Sequence, residues 1–297
     1  MSQNQEQNQV GFIGVGVMGE PMCRNIAQHS GATVTAFDLN DEPLARLASV
    51  GVVRAESIAD VVQSASIIFL SLPGGPELER VCTGDDGLLA HTTTGQTIVD
   101  TSTAPVKLTR ALAAQFQDRG VDYADTPIAR TRQAAEAGTL SIMVGASDAV
   151  YARVEPFLQC CASDITHCGD VGCGQVSKLM NNMVLFQNVV AIAEALNVAR
   201  GAGLSDDVLF DVLSKGSANS FALQNHGQKA IWPDEFPERA FPTTYAQKDL
   251  SYALQLAEDC GLDLSGAKNA GELLEVSRAA GYGDLYFPAL ARIIGNQ

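Results

Sequence analysis

Val10-Gly11-Phe12-Ile13-Gly14-Val15-Gly16-Val17-Met18-Gly19 is an apolar run that breaks into spaced glycines. A helical stretch near Glu20–Gln28 and a β-branched run at Thr33–Phe37 follow it. Strand, glycine turn, helix, strand is the opening of a parallel sheet that binds a dinucleotide. Gly14 would permit the tight turn. Gly16 would let the backbone approach a pyrophosphate at the helix start, with Val17 and Met18 completing the turn, and Gly19 would let helix and strand pack closely. Asp38 closes the second strand about twenty residues further on, where an acidic side chain accepts from the adenosine ribose hydroxyls and repels a 2′-phosphate. No arginine follows Asp38 closely; Arg46 is the next. The expected cofactor is therefore NAD rather than NADP.

The same alternation continues outward. Ile67–Ser71, Thr97–Asp100 and Val121–Ala124 read as strands, separated by helices near Pro43–Ala48, Pro76–Val81 and Pro105–Gln117. Ser141–Gly145 and Asp164–Cys168 extend the series around a helix from about Asp148 to Gln159. Near-continuous apolar strands alternating with helices imply a parallel sheet covered on both faces. After Gly169 the texture changes. Gln175–Arg200 holds no proline or glycine and repeats apolar residues at helical spacing, enough for a helix roughly 40 Å long. The expected fold class is α/β: an N-terminal Rossmann-type, mostly parallel sheet, joined by a long helix to an all-α C-terminal domain. The expected organisation is a disordered tail at 1–9, an NAD-binding domain at 10–170 and an all-helical substrate and oligomerisation domain at 171–297.

The bulk properties narrow the function. The 297 residues carry a formal charge of −15 with no runs of lysine or arginine, which argues against nucleic acid and against an anionic membrane surface. The Gln/Asn-rich start lacks the apolar core of a signal peptide, and no uninterrupted apolar stretch reads as a bilayer span. The expected location is cytoplasmic. Cys160, Cys161, Cys168 and Cys173 crowd together with His167, yet no C-x-x-C pair occurs among the 7 cysteines. They read as reduced, small apolar residues, and no metal site is expected.

Lys178 stands in Gly172-Cys173-Gly174-Gln175-Val176-Ser177-Lys178-Leu179-Met180-Asn181-Asn182. An amine and two carboxamides at helical spacing project from adjacent faces of one helix. Asn182, four residues on, is placed to orient Lys178 or a substrate hydroxyl, and Asn181 to meet a substrate's anionic end. Tandem buried carboxamides are costly without partners.

With these motifs in order, the chain resembles the β-hydroxyacid dehydrogenase family from about Val10 to about Leu290. The glycine turn is similar to that family's cofactor turn, including Met18. Ser71-Leu72-Pro73 resembles its loop beside adenosine and ribose, and Asp100-Thr101-Ser102-Thr103 its strand end near the nicotinamide. Gly174, Lys178, Asn181 and Asn182 match its catalytic helix, and Gln247-Lys248-Asp249-Leu250 a later helix that returns a lysine to the cofactor. The resemblance implies Leu72, Pro73, Thr103 and Lys248 at the cofactor and Ser102 at the substrate. The family's substrate loop usually reads Asp-Ala-Pro-Val-Ser-Gly-Gly; here it is Asp125-Thr126-Pro127-Ile128-Ala129-Arg130-Thr131. Arginine and threonine here are similar to the sulfolactaldehyde reductase branch, where the arginine holds a sulfonate. The guanidinium fork of Arg130 would equally suit a carboxylate. Arg132 reads as a solvated surface residue, with a second anion contact as the alternative.

The implied reaction interconverts a small β-hydroxyacid and its semialdehyde, with a carboxylate like that of 3-hydroxyisobutyrate or a dihydroxypropanesulfonate/sulfolactaldehyde pair. Lys178 would be the general acid/base, supported by Asn182, and Arg130 would bind the anion with Thr131. A lysine amine is ordinarily too basic to act as a base at neutral pH; desolvation and a positive nicotinamide ring would lower its pKa. A non-catalytic NAD-binding scaffold and an imine reductase-like relative are the alternatives. Both would be expected to lack the lysine. The helical domain is expected to build a homodimer or homotetramer.

Overall fold

The computed structural model describes residues 9–238 and 240–295. The expected tail at Met1–Asn8 lies outside them, and Gln9, expected to be part of it, already belongs to the first strand. The chain forms two compact units that divide between Lys178 and Leu179, inside a helix rather than in a linker.

The first unit is built on β1 (Gln9–Ile13), β2 (Thr33–Phe37), β3 (Val53–Arg54), β4 (Ile67–Leu70), β5 (Thr97–Asp100), β6 (Asp122–Asp125), β7 (Ile128–Ala129), β8 (Leu140–Gly145) and β9 (Ala162–Gly169). The sheet order is β3-β2-β1-β4-β5-β6-β8-β7, with β9 on the other side of β8. From β3 to β6 every pairing is parallel. β8 enters antiparallel to β6, through Asp125 and Gly145, and carries β7 antiparallel and β9 parallel. The order reverses between β1 and β4, and it is outside the carboxyl ends of such neighbours that open sheets bind ligands.

Strand alternation explains the two covered faces. Val10 and Phe12 of β1, with Ile67 and Phe69 of β4, join Met22 and Ile26 of the helix Gly19–His29 in one core. Ile13, Ile68 and Leu70 point the other way, to Leu78, Leu112 and Phe116 of the helices Gly75–Thr83 and Val106–Gln117. A side chain at Gly11 would meet Val61 Cγ1 at 2.5 Å, so the helix Ile58–Ser64 lies directly on β1. That helix, Leu88–His91, Arg132–Glu136, β3 and β7 are the elements that periodicity did not indicate. Each is too short to show a period.

The second unit is helical. After the remainder of the long helix (Cys173–Gly201) come Asp206–Lys215, the wide π-type turns of Leu223–Ile231, Thr243–Asp259, Ser265–Ser277 and a closing 3₁₀ segment, Phe287–Arg292. Phe186 packs against Phe287 and Phe241 with ring centroids 5.2 and 6.1 Å away. Trp232 stacks on Phe210 at 5.3 Å, a packing role. By length and composition alone the long helix could cross a bilayer, though Lys178, Asn181, Asn182 and Glu194 interrupt its apolar residues. In the fold it buries Leu179, Phe186, Val189, Ala193 and Leu196, along with the polar Gln175, Lys178 and Asn182, as a core helix does.

Candidate active site

At the end of β1 the chain turns through Gly14 at φ +88°. Any side chain there would strike Ser71 O at 2.4 Å, and one at Gly19 would strike Gly14 O at 2.1 Å. Gly16 differs: a Cβ placed on it meets no protein atom within 4 Å. Two glycines are required by the protein's own packing, and the third leaves backbone open at a helix start, where N–H groups favour an anion. Val17 is exposed and Met18 half-buried beside it.

Asp38 leaves β2 and turns its carboxylate back to this loop, accepting Val15 N–H at 2.7 Å and Asn40 N–H at 2.8 Å. The cap of the next helix, Asp41–Ala48, is Asn40, which accepts Glu42 N–H at 3.1 Å. Asp38 stays half-buried at the turn. Arg46 reaches Glu20 with two bonds, Nε to Oε1 at 2.8 Å and Nη2 to Oε2 at 2.7 Å. Those bonds hold the Glu20 carboxyl below its ordinary pKa.

The strand ends beyond β4 form a buried polar network. Leu72 N–H donates to Ser102 Oγ at 2.9 Å. Ser102 N–H donates to Asp100 Oδ1 at 3.0 Å, and Tyr123 hydroxyl to Asp100 Oδ2 at 3.1 Å. Asp100 has no exposed surface; burial pushes its carboxyl up to about 7, against the hydrogen bonds from Ser102 and Tyr123. Ser102 is buried as well, so its hydroxyl serves the joint between β4 and β5. Pro73 is exposed and Thr103 half-buried at its edge.

Asp125, ending β6, anchors the start of the long helix. It accepts Gly172 N–H at 2.6 Å and Gln175 N–H at 2.7 Å. A helix start offers such unpaired donors, and a carboxylate there also meets the positive end of the helix dipole. Burial raises the Asp125 carboxyl to about 6, although both N–H bonds oppose that shift. Gln175 completes the joint: Ala104 N–H donates to its Oε1 at 3.1 Å, and its Nε2 donates to Ser102 O at 2.7 Å. Lys178 follows one helical turn later and is buried.

Arg130 stands apart from this network. Its Nη1 donates to Thr139 O and Ser163 Oγ, each at 2.7 Å, and its Nη2 to Asp164 Oδ2 at 2.7 Å. The backbone at Arg130 has φ +84°, a conformation that costs a non-glycine residue roughly 1–3 kcal/mol. Thr131 caps the short helix Arg132–Glu136 by accepting Ala134 N–H at 3.4 Å. Arg132 pairs with Glu136 at 2.8 Å on the surface.

Within the second unit, Asn182 is buried but Asn181 is exposed; the expected buried pair is a single buried carboxamide. Asn182 Nδ2 donates to Asp249 Oδ2 at 2.7 Å, and Asn181 Nδ2 to Asn182 Oδ1 at 3.0 Å. Lys248 pairs with Asp249 Oδ1 at 3.1 Å and lies over the rings of Tyr245 and Tyr252, 5.3 and 5.5 Å from their centroids. Sequence reasoning did not give Asp125 or Gln175 these tasks, nor Asp249 its hold on Asn182. Asp125 ends a strand, which is a usable signal; Gln175 offers only its place three residues before Lys178.

The NAD binding domain of 6-phosphogluconate dehydrogenase matches residues 9–169. The domain described as NAD-binding of NADP-dependent 3-hydroxyisobutyrate dehydrogenase matches residues 172–294. A 2-(hydroxymethyl)glutarate dehydrogenase of Eubacterium barkeri is 36% identical over 92% of this chain and 90% of its own length. The chain belongs to the β-hydroxyacid dehydrogenase family. A 2-hydroxy-3-oxopropionate reductase of Escherichia coli is 35% identical over 96% of both chains. Among solved structures, a Mycobacterium tuberculosis 3-hydroxyisobutyrate dehydrogenase with L-serine superposes with a TM-score of 0.88 at 31% identity, covering 96% of this chain and 98% of that one. Among the described residues, no group of His, Cys, Asp or Glu is arranged to hold a metal ion.

Proposed function

We propose that this family member interconverts a small anionic β-hydroxyacid and its semialdehyde, using NAD in preference to NADP. When bound, the nicotinamide supplies the hydride acceptor or donor. Gly14, Gly16, Val17, Met18 and Gly19 would hold the pyrophosphate. The observation that fits them to it is the open backbone at Gly16 between two glycines the fold itself requires. Asp38 would take the ribose hydroxyls, with Leu72, Pro73 and Thr103 bordering the cofactor. The NAD preference is supported by the half-buried Asp38 carboxylate at the turn and by the two hydrogen bonds that Arg46 donates to Glu20, which leave that guanidinium committed.

The observation that carries the reaction is the position of Lys178. It stands one turn beyond a helix start that Asp125 and Gln175 fix to the ends of β5 and β6. In oxidation its neutral amine would take the proton from the substrate hydroxyl; in reduction its ammonium would polarise the aldehyde oxygen and protonate it. Asn182, one turn further and held by Asp249, would orient the reacting oxygen. Arg130 would read the anion together with Thr131. Its bonds to Thr139, Ser163 and Asp164 use Nη1 and part of Nη2, and Nε–H remains for a carboxylate or sulfonate. A clasped guanidinium loses less freedom on binding than a loose one.

The test is reduced-cofactor absorbance with a panel of small 3-hydroxycarboxylates and dihydroxypropanesulfonate, offered with NAD⁺ and with NADP⁺. Turnover of at least one with NAD⁺ preferred is expected; cofactor binding without any turnover overturns the reading. Lys178→Ala is expected to lower kcat about 10²–10⁴-fold. Normal turnover by that variant removes the mechanism.

A further inference from the structure

We propose that Gln175 is the positioning residue for Lys178, fixing the amine for proton transfer through a buried carboxamide bridge to the Ser102–Ala104 strand end. This inference rests on the proton-transfer role given to Lys178 above. Gln175 has no exposed surface, so it is closed to any ligand and acts only through its neighbours. Its backbone N–H is held by Asp125 Oδ2 at 2.7 Å. Its side-chain oxygen accepts Ala104 N–H at 3.1 Å while its amide nitrogen donates to Ser102 O at 2.7 Å. One partner is a donor and the other an acceptor, so the carboxamide has a single satisfied orientation.

The bridge joins elements that must agree on one geometry. Ser102 is tied to Asp100 and accepts Leu72 N–H at 2.9 Å, which connects Gln175 to the loop after β4. On the helix, residues three apart lie on neighbouring positions of one side, so rotation or translation of the first turn is passed directly to Lys178. A misplacement near 1 Å at a reacting group can cost about 10²-fold in rate. The pocket around Gln175 cannot adapt by solvation. Loss of the carboxamide leaves Ser102 O and Ala104 N–H buried without partners, and the helix start shifts to relieve them.

Gln175→Met keeps the length and removes both bonds. The expected result is a kcat lowered about 10–100-fold, with the NADH dissociation constant within about threefold of wild type, because the glycine turn and Asp38 are untouched. Unchanged kcat in a folded variant overturns the proposal. So does an equal loss of cofactor affinity and kcat, which would mean that Gln175 supports the whole sheet unit. Gln175→Glu gives a second readout. Its carboxylic acid reproduces both bonds only when protonated, so its kcat relative to wild type is expected to rise as pH falls. Asp125, which holds the residue's own N–H, and Asp100, which holds Ser102, titrate in both proteins, so the ratio of the two profiles is what is read. A pH-independent ratio overturns the proposal even if the methionine variant does not fold. If Lys178→Ala retains activity, the proton-transfer reading has failed. If that variant is inactive while both Gln175 variants behave as wild type, only the positioning role has failed.

Discussion

Two glycine turns open two helices in this chain, and each is tied to an aspartate at a strand end. Gly14–Gly19 leads into the helix Gly19–His29, with Asp38, just after β2, accepting Val15 N–H. Gly172-Cys173-Gly174 starts the long helix, with Asp125 of β6 accepting Gly172 and Gln175 N–H. The difference lies in what fills the space. At the first turn, Gly16 faces nothing within 4 Å. At the second, a side chain on Gly172 would meet Arg110 Nε at 2.6 Å, and one on Gly174 would meet Met143 O at 2.5 Å and Asp125 O at 2.7 Å. One turn is left open by the protein; the other is filled by it and holds a helix in place. The same local grammar therefore leaves open backbone in one place and a packed joint in the other.

The largest break in this contrast is expected from Gly174→Ala. Its Cβ would press on two backbone oxygens that cannot move without distorting β6 and β8. A loss of about 3 kcal/mol is expected, read as a Tm lower by several degrees, with kcat reduced in the protein that remains folded. A variant with wild-type Tm and kcat would show that the second turn is not closed by packing.

An effect of similar size, read through pH, tests the filled turn at Asp125. The Asp125 carboxyl is pushed from 3.8 up to about 6 by burial, so the folded protein holds this proton more tightly than the unfolded chain. Its contribution is therefore most favourable below pH 4. It declines as pH rises from about 4 to about 6 and is flat above. The integrated change is on the order of 3 kcal/mol. Asp125→Asn lacks this titration. Its urea midpoint relative to wild type is expected to improve with rising pH across that window, from whatever offset the lost hydrogen bonds impose. A constant offset between pH 4 and 7 would remove the buried, proton-retaining character assigned to Asp125.

How far the sequence could be read follows the same line between open and filled sites. β1, β2, β4 and β5 announce themselves as apolar runs because both faces of each are buried. The short β3 and β7 exist through their neighbours' hydrogen bonds and have no period of their own. The reversal at β8 is equally silent, since one antiparallel pairing at Asp125 and Gly145 decides it. In the site, glycines, Asp38 and Lys178 carry recognisable spacing. The bridge of Gln175 depends on residues 71 and 73 positions away in sequence, which local spacing cannot show. Arg130 was legible as a departure from the family loop. That it occupies a positive φ and is clasped to Thr139, Ser163 and Asp164 depends on β8 and β9.

The smallest expected effect sharpens the contrast best, because it separates binding from folding. A methyl group at Gly16 meets no protein atom, and the residue stands at a helix start where alanine is tolerated. Gly16→Ala should thus leave Tm within about 1 °C of wild type, consistent with surface changes near zero in stability. The same methyl group would occupy the space through which a pyrophosphate approaches the backbone. NADH affinity is expected to fall about tenfold, or about 1.4 kcal/mol, by fluorescence titration. Unchanged affinity with unchanged Tm would mean that the open face of the first turn is not where the cofactor lies. A large fall in Tm would mean that Gly16, like Gly174, is held by packing, and the distinction between the two turns would disappear.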